Sequence, residues 1–134
     1  MILVNIDVDD LDRAIAFYTA AFELRVGRRF GRDGVELLST EVPIYLLVKR
    51  AGTPPFAGAA TTRDYQRHWT PVHLDFAVPD LEAVERRALA AGATREGTVE
   101  THAWGRIAYF GDPFGHGFCL LEFSGRGYDE IATR

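Results

Sequence analysis

An internal repeat restricts the possible folds of this chain more than any other feature. The segment VDDLDRAIAFYTAAF begins at Val8, and VPDLEAVERRALAAG begins at Val78 with Val, Asp and Leu at the same relative positions. Near the end of each half, IYLLVK from Ile44 resembles FCLLEF from Phe118. Two repeats in the same order indicate that one structural unit occurs twice. With 134 residues, the chain is predicted to be a single domain, residues 1–134, built from these two copies.

Each copy predicts the same series of elements. An alternating strand is followed by an Asp that can cap a helix (Asp10, then Asp80), and apolar residues keep helical spacing to Phe22 and Ala91. Three further strands complete each copy, near Leu24–Phe30, Val35–Ser39 and Ile44–Lys49 in the first, and near Thr94–Val99, Ile107–Phe110 and Gly117–Phe123 in the second.

These elements divide the chain into four parts. Module one covers about residues 1–50 and module two about 69–124. The segment 51–68 between them is rich in Gly, Ala, Pro and Thr and has no periodicity, which is typical of a long loop or linker. The tail, residues 125–134, is polar and is expected to be frayed.

The bulk composition excludes several classes of protein. A net charge of −4 argues against nucleic-acid binding, which uses a basic surface. No stretch of the sequence is apolar for long enough to span a membrane, and the N-terminus does not resemble a signal peptide. Cys119 is the single cysteine, so an internal disulfide is impossible. A cytoplasmic location is expected.

Three segments resemble the vicinal-oxygen-chelate superfamily, which contains the glyoxalases and bleomycin-resistance proteins. They are VDDLDRAIAFYTAAFELRV, VHLDFAVPDLEAVERRALAAGA and GDPFGHGFCLLEF, and the resemblance covers residues 2–123. The most similar subgroup is that of the glyoxalase-like domains. The resemblance implies an α+β fold in which two βαβββ modules form a curled mixed sheet around a cleft. It leaves the chemistry open, because the superfamily includes isomerases, lyases, dioxygenases, thiol transferases and antibiotic-binding proteins.

Alternation along the strands predicts which residues face that cleft. The apolar positions from Ile2 to Val8 and from Val72 to Val78 are expected to pack on the helices. The residues between them, with Tyr45, Leu47 and Cys119 by the same argument, are expected to bind a ligand. Two tryptophans are placed near the mouth. The predicted ligand-binding set is Asn5, Asp7, Tyr45, Leu47, Trp69, His73, Asp75, Trp104 and Cys119. Asp7 and Asp75 against Lys49 favour a neutral or cationic ligand.

The resemblance also implies a test for a metal. Metal enzymes of the superfamily use four equivalent positions, which in this chain are Leu3, Tyr45, His73 and Cys119. Leucine cannot ligate, and hard divalent ions prefer several imidazole or carboxylate ligands. No metal and no other cofactor is therefore expected. A second possibility is that His73 and Asp75 begin an iron-binding triad completed by His68, His102 or His116.

Each candidate residue also has a purely structural interpretation. His73 and Asp75 can act as catalytic acid and base, or can simply be polar groups on a sheet face. Cys119 can be a nucleophile or a packed thiol. Trp69 and Trp104 can stack a flat ligand, or can pack at a dimer contact or cover a sheet edge. Phe17 and Tyr18 follow helical spacing and are expected in the core.

These observations favour a metal-independent protein that binds a small molecule, such as an antibiotic or a toxic metabolite. The alternative is a divergent lyase or isomerase that uses His73 and Asp75 as acid and base. A third possibility is a structural or regulatory module without an active cleft. The resemblance also implies a homodimer, because symmetric pairing is a common way to cover exposed sheet edges.

Overall fold

The computed structural model describes residues 1–133 and contains two compact units, residues 1–66 and the chain from 67 onward. The first unit consists of β1 (Val4–Val8), α1 (Leu11–Phe22), β2 (Arg25–Phe30), β3 (Gly34–Leu38) and β4 (Ile44–Val48). The second consists of β5 (Leu74–Ala77), α2 (Leu81–Ala91), β6 (Thr94–His102), β7 (Gly105–Gly111), β8 (Gly117–Phe123) and a short 3₁₀ helix (Gly127–Glu130). The predicted α+β fold with two βαβββ modules is confirmed.

The two units have the same sheet topology. Each contains a four-stranded mixed sheet, with strand order β1-β4-β3-β2 in the first and β5-β8-β7-β6 in the second. The first and last strands of each unit pair in parallel, and the other pairs are antiparallel. The parallel register places Asn5 opposite Tyr45 and Asp75 opposite Cys119. The sequence repeat therefore corresponds to a structural repeat.

Both helices begin at the predicted caps. The carboxylate of Asp10 accepts a hydrogen bond from the backbone N–H of Arg13, and that of Asp80 accepts one from Ala83, each at 3.0 Å. Such caps satisfy N–H groups that have no partner within the helix. On α1 the face that includes Phe17 and Tyr18 is buried, as predicted.

Several strand bounds differ from the prediction. Ile2 and Val72 are 75% and 84% exposed, so the apolar faces of β1 and β5 begin only at Val4 and Leu74. β6 continues to His102, beyond the predicted end at Val99, since a bulge between Glu96 and Glu100 interrupts its alternation. Alternation therefore did not predict the full length of this strand.

The tail is ordered through residue 130, and the prediction that it is frayed is wrong for this part. Tyr128 packs on Phe123 and Trp104, with ring centroids 4.8 and 5.3 Å away. Arg126 also forms an ion pair with Glu130 at 3.2 Å. Aromatic contacts with a residue of β8 hold this segment in place, and they are not visible as a periodic pattern.

The segment 51–68 has no helix or strand, as predicted, but side-chain contacts hold Arg63 and Tyr65 in place. In the first unit, the Arg63 side chain forms an ion pair with Asp7 at 2.7 Å, and the Tyr65 hydroxyl donates to the Lys49 carbonyl at 2.6 Å.

Within the described residues, neither α1 nor α2 is long and apolar enough to cross a membrane.

Candidate functional site

Four of the predicted site residues share one face of the first sheet. Asn5 is opposite Tyr45, and Asp7 is opposite Leu47, in the parallel pair of β1 and β4. Arg63 neutralises Asp7, which removes most of the negative charge that the sequence assigned to this face. Asp7 therefore gives no support to the predicted preference for a neutral or cationic ligand.

The same face carries an ion pair that the sequence interpretation missed. The buried carboxylate of Glu36 accepts hydrogen bonds from the Tyr45 hydroxyl at 3.0 Å and from the Arg28 backbone N–H at 3.1 Å. The Arg28 guanidinium binds the same carboxylate through two nitrogens, at 2.6 and 3.0 Å. These donors lower the pKa of Glu36 to about 2, with the Arg28 side chain as the largest cause.

In the second unit, three predicted residues come together on one face of the sheet. Ligating atoms of His73, Asp75 and Cys119 all lie within 4.8 Å of one another. His73 Nε2 is 3.2 Å from Asp75 Oδ1, so the direct contact that strand geometry allowed is present. Asp75 and Cys119 are register partners on β5 and β8, and His73 immediately precedes β5.

Cys119 is 1% exposed and stays protonated at neutral pH. Its pKa is raised to about 12, first by burial and then by the charge of Asp75 and a hydrogen bond with that carboxylate. A thiol in this state is a poor nucleophile. These properties favour the prediction of a packed thiol over that of a nucleophile.

Trp69 is held next to this group by two residues that the sequence did not single out. Its indole N–H donates to Glu96 at 2.9 Å, and the Arg67 guanidinium lies 4.6 Å from its ring centroid. Arg67 also binds Glu96, at 2.5 and 2.8 Å. The Trp69 ring meets the His73 ring edge-on at 5.6 Å, and the residue remains 43% exposed.

Two paired glycines make room for this arrangement. Gly111 and Gly117 are partners on β7 and β8. A β-carbon at Gly117 would lie 2.6 Å from the Trp69 indole, and one at Gly111 would lie 2.7 Å from Nε of Arg67. Real β-carbons do not come so close to other atoms, so a larger residue at either position would displace the Trp69 or Arg67 side chain. Gly111 and Gly117 are the first and last residues of the GDPFGHG segment, and these glycines were the sequence signal from which the close packing could have been predicted.

Trp104 belongs to a different aromatic group from Trp69. It stacks on His102, with centroids 5.1 Å apart and planes 8° from parallel, and it also contacts Phe123 and Tyr128. Glu100 connects this group to Tyr109, since it lies 3.3 Å from both the Tyr109 hydroxyl and His102 Nε2.

Comparison with known proteins identifies the family. The profile of the glyoxalase-like domain matches residues 3–121. The chain belongs to this family. An uncharacterized protein of Mycobacterium tuberculosis is 35% identical over 117 residues, which cover 84% of this chain and 68% of that protein. Through this family the chain is a member of the vicinal-oxygen-chelate superfamily.

Solved structures of low sequence identity share the fold of this glyoxalase-like chain. The fosfomycin resistance protein FosX from Listeria monocytogenes has a TM-score of 0.72 at 18% identity and covers 98% of this chain and 97% of its own. A variant of that protein was solved with Mn(II). Lactoylglutathione lyase from Agrobacterium tumefaciens has a TM-score of 0.63 at 19% identity, covering 91% of this chain and 92% of its own.

The donor set of this glyoxalase-like domain departs from the pattern used by metal enzymes of the superfamily. Of the four positions that the resemblance implies, Leu3 has no donor atom, Cys119 offers a thiol where hard divalent ions prefer imidazole or carboxylate, and the Tyr45 hydroxyl is bonded to Glu36 and Arg28. His73 alone is a usual ligand. Asp75 is not at one of these four positions and would have to act as an additional ligand. Zn²⁺ is the ion that best tolerates such a mixture of His, Asp and Cys.

Two other groupings of potential ligands also fail. Among residues 1–133, no second histidine joins His73 and Asp75, so the iron-binding triad is not formed by the described residues. The acidic group of Asp80, Glu82 and Glu122 is already in use. Asp80 caps α2, and Arg106 forms ion pairs with Glu82 at 2.5 Å and Glu122 at 2.8 Å.

Proposed function

We propose that this glyoxalase-like protein binds a small molecule on the second sheet, at His73, Asp75 and Trp69, without a catalytic metal. The observation that carries the proposal is the exposed His73–Asp75 pair beside an indole that Arg67 and Glu96 hold in place. A ligand pocket typically combines an apolar surface with a few fixed polar groups. Trp69 supplies the first, and the His73–Asp75 pair supplies the second.

A thermal-shift screen tests the proposal. Fosfomycin, S-lactoylglutathione and bleomycin are suitable first probes, since proteins of this fold include fosfomycin resistance proteins, a lactoylglutathione lyase and the bleomycin-resistance class. A ligand that binds only the folded state raises the melting temperature by mass action. A hit would then be examined with variants of the proposed site.

For any such hit, His73→Ala and Asp75→Ala are expected to weaken binding by about tenfold to a hundredfold. Each removes a charge-assisted hydrogen bond worth roughly 1.5–3 kcal/mol. The matched control is His102→Ala, because His102 also lies beside a carboxylate, that of Glu100 at 3.3 Å, but belongs to the Trp104 group. Isothermal titration calorimetry gives the affinities. A twofold or smaller change in both site variants would reject this site.

The alternative function is a lyase or isomerase in which His73 and Asp75 act as acid and base. Their 3.2 Å separation is the observation that favours it, because a catalytic base is usually oriented by a neighbouring group. Time-resolved NMR of the bound probe separates the two functions. Conversion of the probe that His73→Ala abolishes supports the enzyme, whereas unchanged probe supports a binding protein.

Metal independence has its own test. Protein purified without added metal is expected to contain no stoichiometric divalent ion in elemental analysis, and probe binding is expected to survive chelation. The physical reason is that Leu3 has no donor atom and that Cys119 supplies neither an imidazole nor a carboxylate. One equivalent of Zn²⁺ that is lost in His73→Ala would contradict this expectation and would assign the His73–Asp75–Cys119 group as its site.

We further propose that the protein is a homodimer. Each four-stranded sheet has two edge strands, and pairing between copies is a common way to cover such edges. Light scattering at micromolar concentration should give twice the chain mass of 14.9 kDa. A monomer across that range would contradict the proposal.

The single unpaired cysteine supports a reducing compartment such as the cytoplasm.

A further inference from the structure

The edge strand β2 and the two residues after it form the most positively charged segment of an otherwise acidic protein. Residues 25–32 contain four arginines and no acidic residue, whereas the whole chain has a net charge of −4. Glu36 pairs with Arg28, but Arg25, Arg29 and Arg32 are exposed and have no ion pair within the described residues. This segment therefore attracts anions rather than cations.

Arg28 differs from these neighbours because its guanidinium is fixed and yet exposed. Glu36 binds two of its nitrogens, and the Tyr45 oxygen accepts a third hydrogen bond at 3.1 Å. The side chain is nevertheless 69% exposed, and none of these contacts uses its Nη1 group. An arginine held in this way loses little conformational entropy when it binds a further acceptor.

The local backbone is adapted to this geometry. A register shift between Val26 and Arg29 marks a bulge in β2, opposite Glu36. A β-carbon at Gly27 would lie 2.6 Å from Glu36 Oε2 and 2.9 Å from Leu38 Cδ1, so a larger residue there would displace the carboxylate. The bulge and the glycine together allow Glu36 to bind both the backbone and the side chain of Arg28.

An exposed aromatic ring lies beside the guanidinium. Phe30 is 43% exposed, its centroid is 6.0 Å from Cζ of Arg28, and its ring is 6.1 Å from that of Tyr45. It pairs with Gly34 and shares the face of Glu36, whereas Arg29 pairs with Val35 on the opposite face. A cation with free N–H groups next to an apolar ring matches a ligand that joins an anion to a flat apolar group.

We propose that Arg28 and Phe30 form a binding site for an aromatic carboxylate on the first unit. The carboxylate accepts hydrogen bonds from Nη1 of Arg28, and the aromatic ring of the ligand packs on Phe30. Glu36 and Tyr45 are positioning residues, because they hold Arg28 and need not touch the ligand. This site uses no residue of the His73–Asp75 group and does not depend on the function proposed above.

Benzoate is the probe, and benzamide is its neutral counterpart. Titrations are followed by ¹H–¹⁵N NMR of the arginine Nε–Hε groups and by calorimetry. Benzoate is expected to shift the Arg28 resonance saturably and to bind at least tenfold more tightly than benzamide. The proposal is overturned if benzamide binds equally well or if benzoate produces no saturable shift of Arg28.

Three variants separate a site from general charge attraction. Arg28→Ala is expected to weaken benzoate binding about tenfold or more, and Arg29→Ala, which removes the same charge on the opposite face, by no more than about twofold. Phe30→Ala leaves the Arg28–Glu36 pair intact and is expected to weaken benzoate about fivefold through lost apolar contact. Equal losses in the two arginine variants, or no loss in Phe30→Ala, would reject the site. Circular dichroism confirms that each variant is folded.

Discussion

Cys119 is expected to react with iodoacetamide at pH 8 at least about a thousandfold more slowly in the folded protein than in urea. Its pKa rises from 9.0 to about 12, which lowers the thiolate fraction by about three powers of ten, and its burial hinders the reagent further. Mass spectrometry of the alkylated chain gives both rates. The unfolded chain is a complete control, since it contains the same single thiol.

The pH dependence separates the two causes of this slow reaction. If the raised pKa controls the rate, alkylation of the native protein should still be accelerating steeply above pH 10, whereas in urea it should already be half-maximal near pH 9. Asp75→Asn removes the neighbouring charge and is expected to accelerate the native reaction. Rapid alkylation at neutral pH would show a thiolate at Cys119 and would favour both a nucleophile and a metal ligand at this position.

The same pKa shift affects stability in alkaline solution. The folded-state value lies above the unfolded one, so the unfolded chain releases the proton first as the pH rises. The contribution of Cys119 to folding is therefore complete below about pH 9 and is lost as the pH rises toward 12.

Gly105→Ala is expected to lower the free energy of unfolding by about 3–5 kcal/mol. Gly105 has a φ of 146°, a backbone conformation that L-residues other than glycine rarely adopt. A β-carbon there would also lie 2.1 Å from the carbonyl oxygen of Glu122 and 2.9 Å from Cα of Phe123. Both are backbone atoms of the paired strand β8, so relief of the clash requires β7 and β8 to separate.

Gly97→Ala is the matched control for this substitution. Gly97 also has a positive φ, 67°, but nothing lies within 4 Å of the β-carbon position. It therefore measures the cost of a positive φ without a steric clash, about 1 kcal/mol. Urea titrations can be followed by tryptophan fluorescence, since Trp69 and Trp104 both lie in the second unit. Equal losses in the two variants would show that the close approach to Glu122 is not the cause.

The sequence predicted those features of the fold that depend on local pattern. The repeat located both modules, Asp10 and Asp80 located the helix starts, and the helical spacing that ends at Ala91 located the end of α2. Strand bounds were less predictable, because the apolar alternation extends beyond the residues that form the strand, as at Ile2 before β1 and Val72 before β5. The bulges in β2 and β6 break the alternation inside a strand and were also missed.

The candidate site was predicted where its residues follow the regular alternation of the strands and was missed where they do not. The parity of β5 and β8 brought His73, Asp75 and Cys119 to one face, and the structure places them together. Arg67 and Glu96 were missed, because their pairing joins the end of an irregular segment to an edge strand 29 residues later. Arg28 and Glu36 were missed for a related reason, since a bulge, and not the regular pleat, turns Arg28 toward the carboxylate.

The parallel pairing of the first and last strands within each unit has a consequence for the origin of the chain. Because β1 binds β4 and β5 binds β8, every strand of a module finds its partners inside that module. An ancestral gene for one βαβββ unit would thus have encoded a complete set of sheet partners. Tandem duplication of such a gene would add a second finished sheet without breaking the first, and equivalent positions could then differ between the copies, as Asn5 and Tyr45 differ from Asp75 and Cys119.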